Sequence, residues 1–178
     1  MSPASGRGGA PKPPGKGPSA RGRAGRAPGG RVTLENRGYV VSTDRGLLDT
    51  DFICAALARS YWARGRPRPV IERSIGNSLC FGLYGKKDRR QVGFARVVTD
   101  GATFSWLCDV VIDERLRGRG LGKFLVSCVV AHPQVSGTKC VLGTRDAHGL
   151  YGKFGFARCE LMRRPPSPET PGRPPPRA

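Results

Sequence analysis

Long apolar runs are missing from this 178-residue chain. The longest, residues 124–131, is far too short to cross a bilayer, so no membrane partner is expected. Acids are scarce as well: 13 Asp and Glu face 31 Lys and Arg, a formal net charge of +18. The only histidines are His132 and His148, and the six cysteines (54, 80, 108, 128, 140 and 159) stand singly, with no Cys-x-x-Cys pair. That supply is too sparse for a metal-ligand cluster, so no metal is expected. All cysteines but Cys159 lie beside apolar residues, where a free thiol behaves as a small hydrophobe. No secretory apolar stretch opens the chain, and a reduced, cytoplasmic setting is the expectation.

The charge is unevenly spread. Residues 1–31 carry seven Lys or Arg, no acid and no aromatic, and consist mostly of Gly, Pro, Ala and Ser. Such a segment cannot bury enough apolar surface to offset its ordering entropy, so a disordered basic tail is predicted over 1–31. A proline-rich tail is predicted over 165–178, leaving one folded domain over 32–164 with a net charge of +10. A basic tail invites nucleic acid, but without interleaved aromatics it has nothing on which bases stack. Nucleic acid is therefore not an expected partner, and a homodimer is left open.

Between a strand-like run, residues 107–112, and a helix-like run stands Arg117-Gly118-Arg119-Gly120-Leu121-Gly122, followed by Lys123. Leu121, Phe124, Leu125, Cys128 and Val129 fit an amphipathic helix that Pro133 stops. A glycine turn entering a helix leaves backbone N–H groups pointing one way, with the positive end of the helix dipole behind them, which suits a phosphate. A Walker A loop would need glycine at Arg117 and Ser or Thr at Phe124, and has neither. A dinucleotide fingerprint would need glycine at Lys123 and an acid about 20 residues on, and lacks both.

The remaining elements read as follows. Residues 39–43 form a first strand; 51–63 a helix capped by Asp49 or Thr50, with Phe52, Ala55, Ala56 and Arg59 at helical spacing; and 69–75 a second helix with proline in its first turn. Strands at 79–84 and 91–99 flank a charged hairpin at 85–90, and 103–112 is the longest strand. A strand over 140–144, a helix starting at Ala147 and a final strand complete an α/β (α+β) chain with a mixed sheet and helices on both faces.

The pattern Arg-x-x-Gly-x-Gly, met by Arg117, Gly120 and Gly122, resembles the acetyl-coenzyme A loop of the GNAT-type N-acetyltransferases. The stretch Ala147-His148-Gly149-Leu150-Tyr151-Gly152-Lys153-Phe154-Gly155-Phe156 resembles the family's last helix and following strand, with its Tyr-x-x-x-Gly-Phe signature. The resemblance runs from Tyr39 to Met162 and is strongest to small bacterial members. Many members carry asparagine where Thr144 stands here, so that coenzyme contact differs.

The resemblance implies a GNAT-like, mostly antiparallel sheet whose middle strands splay around the pantetheine arm of acetyl-CoA, used as co-substrate. It implies that backbone N–H groups of Val110, Val111 and Ile112, the turn Arg117, Gly118, Arg119, Gly120, Leu121, Gly122 and Lys123, and Thr144 hold the coenzyme. Tyr151 is the implied general acid: a phenol of pKa near 10 can protonate a thiolate of pKa near 8.5. Asp109 is the candidate base, since strand alternation puts it on one face with the apolar Leu107 and Val111; a structural hydrogen bond is its other reading. His148 can relay a proton or merely cap the last helix. Tyr61, Trp62 and Arg73, on the first two helices, would border the acceptor. The expected activity is direct transfer of acetyl from acetyl-CoA to a primary amine of a small molecule or peptide. The alternative is a catalytically weak module of this fold that binds coenzyme and, through its tail, a polyanion such as RNA or the ribosome.

Overall fold

The computed structural model describes residues 33–36 and 38–164; the predicted tails lie outside them. Six strands follow one another across a single sheet in chain order. They are β1 (Thr33–Asn36), β2 (Tyr39–Ser42), β3 (Leu79–Gly85), β4 (Gln91–Thr99), β5 (Phe104–Ile112) and β6 (Lys139–Leu142). The first five pair antiparallel, and β6 lies parallel to β5. A parallel pair needs a crossover, which α3 (Leu121–Val130) and the short α4 (Pro133–Ser136) supply.

Two apolar cores sandwich the sheet. On one face α3 buries Leu121, Leu125, Val126, Cys128 and Val129 against Phe81, Leu83, Val97 and Leu107. On the other, α1 (Thr50–Ala58) and α2 (Arg68–Gly76) bury Ile53, Ala56, Leu57 and Ile71 against Phe94 and Val111. A fully buried Leu or Phe contributes about 1.5–3 kcal/mol, so the sheet is held from both sides. No helix among the described residues is long and apolar enough to cross a membrane.

The expected elements are present with instructive differences. The helix predicted over 51–63 stops at Ala58, with Asp49 as its cap through a 2.9 Å bond from Phe52 N–H. Ser60 explains the stop: its hydroxyl donates to Leu57 O at 2.7 Å and accepts from Ala63 N–H at 3.2 Å, replacing helix bonds with a turn. Tyr61 and Trp62 therefore lie on a loop, not on a helix. The helix also turns Ile53, Ala56 and Leu57 inward, while Ala55 and Arg59 are exposed. Strand β1 was not anticipated. The final strand expected after Gly155 does not form. Gly155 does end the preceding turn in the left-handed conformation, φ 82°. Beyond it, residues 157–164 are exposed throughout, offering no buried face to pair against β6.

One irregularity positions the site. Phe94 pairs with Val111 and Arg96 with Cys108, so Ala95 alone faces both Asp109 and Val110. This β-bulge carries Asp109 at φ 52°. Strict alternation would put Leu107, Asp109 and Val111 on one face. The extra residue breaks it: Leu107 belongs to the core under α3, and Val111 to the core under α1 and α2.

Candidate active site

β6 pairs with β5 only from Phe104↔Lys139 to Leu107↔Leu142, while β5 runs on to Ile112. Beyond that point the strands part, and a cleft of about 880 Å³ opens between them. Its floor includes residues 108–112 of β5 and Leu142, Gly143 and Thr144. The loop after α1 forms one wall; Gly122 of α3 and Ala147, Leu150 and Tyr151 form the other.

At the α3 end the predicted turn forms. Gly120 is the helix N-cap at φ 79°, and Gly118 has φ 78°. A Cβ at either would meet nothing within 4 Å, so glycine is required there by backbone conformation rather than by space. Arg117 lines the cleft and pairs with Glu114 at 3.4 Å. Val110, Val111, Ile112, Gly122 and Thr144 also line it. Leu121 is buried and anchors the helix, whereas Gly118, Arg119, Gly120 and Lys123 are exposed at its start and do not line the cleft wall. Arg115, two residues before the turn, faces a separate depression of about 530 Å³ with Lys87.

Tyr151, the last residue of α5 (His148–Tyr151), is 9% exposed and reaches the cleft from the core under α3. Its ring meets Phe156 edge-on at 5.9 Å, and its hydroxyl has no hydrogen-bond partner among the described residues. Burial, reinforced by Tyr61 and Asp146, pushes its pKa up to about 12. His148 is exposed and does not line the cleft; its carbonyl accepts from Gly152 N–H, a helix-end role. Thr144 starts the same helix: Oγ1 accepts from Ala147 N–H at 3.0 Å and donates to Asp146 at 3.4 Å.

The side expected to border the acceptor departs most from expectation. Asp109 is buried, but not among apolar side chains. Arg66 Nη1 donates to both its oxygens, at 3.1 and 2.9 Å, and Arg96 Nε donates to Oδ2 at 2.8 Å. The bulge supplies the reason, because it turns Asp109 away from Leu107 toward the side of the sheet that Arg96 occupies. Arg73 does not line the cleft; it is exposed on α2. Tyr61 and Trp62 do line it, their rings edge-on at 4.9 Å. Tyr61 spans the cleft: its hydroxyl accepts from Arg145 N–H at 2.9 Å, and the Arg145 guanidinium lies 3.8 Å over its ring. Arg66 and Arg96 escaped the sequence reading, although Arg96 stands alone among apolar residues in β4, one hairpin away from an equally isolated acid.

A family model for the acetyltransferase (GNAT) domain matches residues 79–158. FG08082 of Gibberella zeae, which carries an acetyltransferase name, is 33% identical over 137 residues, covering 65% of this chain and 76% of that protein. A structure from Xanthomonas campestris pv. campestris, assigned to the GNAT family, is similar at 44% identity and a TM-score of 0.67, covering 71% of this chain and 92% of that one. A GNAT family acetyltransferase of Elizabethkingia anophelis, solved with acetyl-CoA bound, shares the fold at 14% identity and a TM-score of 0.55, covering 70% of this chain and 80% of its own. With a relative matched at this identity over three quarters of its length, on a sheet that opens after Leu107 and Leu142, the chain belongs to the GNAT family of acetyltransferases.

Proposed function

We propose that the chain moves an acetyl group from acetyl-CoA directly to a primary amine within the β5–β6 cleft. The observation that carries this reading is the parting of β5 and β6 beyond Leu107 and Leu142, with the glycine turn at the α3 end of the gap and Tyr151 lining it. The residues suit the coenzyme. Helix N–H groups behind Gly120, with Arg117, Arg119 and Lys123 around them, match a diphosphate. Backbone N–H groups of Val110, Val111 and Ile112 lie along the open stretch of β5, where pairing with β6 has ended. When bound, acetyl-CoA supplies the acetyl thioester.

In this reading the amine nitrogen gains the acetyl group as the carbon–sulfur bond breaks, the amine proton leaves to solvent and the departing sulfur takes a proton from Tyr151. A phenol with its pKa near 12 stays protonated throughout the working range, so its O–H is always present to hydrogen-bond the departing sulfur. Tyr151 then recovers its proton from water. Asp109, engaged by two guanidiniums, supports a positioning role better than the base role considered from sequence. The amine therefore enters neutral. Thiol release from acetyl-CoA with a panel of primary amines tests the function; coenzyme binding without turnover on any of them would favour the weak-module reading. RNA retention with and without residues 1–31 tests that reading's other half, and salt-insensitive or absent retention removes it. Deleting residues 1–31 is expected to leave melting temperature and coenzyme affinity unchanged.

A further inference from the structure

The cleft contains more cation than the coenzyme turn explains. Away from α3, Arg66 and Arg96 converge on one carboxylate, Asp109. One negative charge balances only one of them. Arg96 spends its remaining contacts inward: Nη1 donates to Ser78 Oγ at 3.0 Å, and its side chain is 11% exposed. Arg66 does not. Only its Nη1 is engaged, its Nε and Nη2 have no partner among the described residues, and its side chain is 25% exposed on the cleft wall.

A guanidinium fixed at one nitrogen, with its other donors open to a cleft, is a preset clamp for a planar or tetrahedral oxyanion. The Asp109 pair removes the rotational freedom that a surface arginine would lose on binding. Holding Asp109 in this place requires a bulge and a left-handed aspartate, φ 52°, a conformation that costs free energy at a non-glycine residue.

We propose, resting on the acetyltransferase reading above, that the acceptor is an amine carrying its own anionic group, a carboxylate or a phosphate, seated on the open edge of Arg66. Asp109 acts through Arg66 as a positioning residue, and Arg96 supports Asp109. The loop bearing Tyr61 and Trp62 covers the same side of the cleft, so the anion meets the clamp where water is partly displaced.

The test compares matched pairs of acceptors by thiol release: amino acids against their carboxamides, and aminoalkyl phosphates against the corresponding amino alcohols. Charge-assisted hydrogen bonds of this kind correspond to a kcat/KM preference of about 10- to 100-fold for the anionic member. The pair showing it separates carboxylate from phosphate. Arg66→Gln should bring the anionic-to-neutral rate ratio within each pair close to one; both members are measured on the same variant, so any general loss of rate cancels. Arg66→Lys, which retains a cation beside Asp109, should keep the wild-type melting temperature yet recover only part of the preference. A second measurement needs no turnover: the Arg66 Nε–H resonance of labelled protein, assigned by its loss in Arg66→Lys, should shift saturably with acetate or with inorganic phosphate. Equal rates within every pair, a preference that survives Arg66→Gln, or a resonance unmoved by both anions would overturn the proposal. Failure of coenzyme binding or of thiol release with every amine would instead strike the acetyltransferase reading, leaving the resonance to decide the anion site.

Discussion

The two ends of the cleft are made of different material. The end proposed for the coenzyme is main chain: Gly118 and Gly120 in left-handed conformations, the first turn of α3 and the edge of β5 beyond its pairing with β6. The end proposed for the acceptor is side chain: Arg66, Arg96 and Asp109, joined across sequence separations of 43 and 13 residues, with Tyr61 reaching Arg145 across 84. A main-chain site depends on a few glycines and on secondary structure. A side-chain site depends on where distant segments meet. Substitutions should therefore separate the two ends cleanly.

Tyr151 stands where the ends meet, and its loss should have the largest effect. Tyr151→Phe keeps the ring against Phe156 and should fold normally. General acids contribute about 10²–10⁴-fold, so kcat should fall within that range with coenzyme affinity unchanged. With the phenol pKa raised to about 12, wild-type kcat/KM should rise through the acceptor amine's pKa and then stay flat, with no alkaline limb from Tyr151 below that pH. The linkage sign agrees with burial. A folded pKa above the unfolded value of about 10 gives stability that is full below pH 10 and declines as pH rises toward 12. Wild-type turnover in the variant would assign the proton to water.

Asp109→Asn sharpens the comparison from the acceptor side. Asparagine tolerates the left-handed backbone as aspartate does, so the bulge should persist while the charge disappears. Breaking a buried ion pair costs about 3–5 kcal/mol; with Arg66 one quarter exposed, solvent recovers part of that, and a loss of about 2 kcal/mol is expected. A lowered urea midpoint at constant m-value would register it, with coenzyme affinity intact. A stability loss under about 0.5 kcal/mol would mean that the cluster does not hold the acceptor end together.

How much of this was legible follows the same division. The turn at Gly118 and Gly120, the start of α3, the Gly155 cap and the order of elements are short-range properties, written in glycine placement and in 3.6-residue periodicity. The open gap between β5 and β6 was available only through the family resemblance. The bulge at Asp109 was invisible because alternation carries no mark for an inserted residue, and that one residue reversed the face assigned to Val111 relative to Leu107. Helix α1 is shorter than its periodicity suggests because Ser60, an ordinary residue by propensity, ends it through two local hydrogen bonds. The family resemblance puts the helix of Arg73 near the acceptor, but the side chain itself is exposed. Its exposed position reflects which face of α2 Ile71 buries, and one buried position gives little periodicity to read.

Gly120→Val probes the main-chain end. The side chain would have room, but a β-branched residue at φ 79° is strained by about 1–3 kcal/mol. Relief of that strain would reshape the turn proposed to face the phosphates. Coenzyme affinity, followed by calorimetry, should weaken by more than about tenfold, while the acceptor preference among bound complexes is retained. Unchanged affinity would show that the coenzyme does not use this turn.

Tyr61→Phe should give the smallest change and the finest discrimination. It removes the acceptor of Arg145 N–H, but leaves the guanidinium stacked on the ring and the ring packed on Trp62. Tyr61 is 38% exposed, so water can replace the lost partner and the net cost should sit near the low end of about 0.5–1.5 kcal/mol. That cost falls on the contact between the two loops, not on the core. The expected result is a two- to fivefold rise in acceptor KM, about 0.4–1 kcal/mol, with kcat, coenzyme affinity and melting temperature unchanged. A fall in kcat without a change in KM would tie Tyr61 to the electrostatics of Tyr151, whose pKa it helps raise. An effect on coenzyme affinity would mean that the acceptor end reaches into the coenzyme end, and the division between the two would not hold.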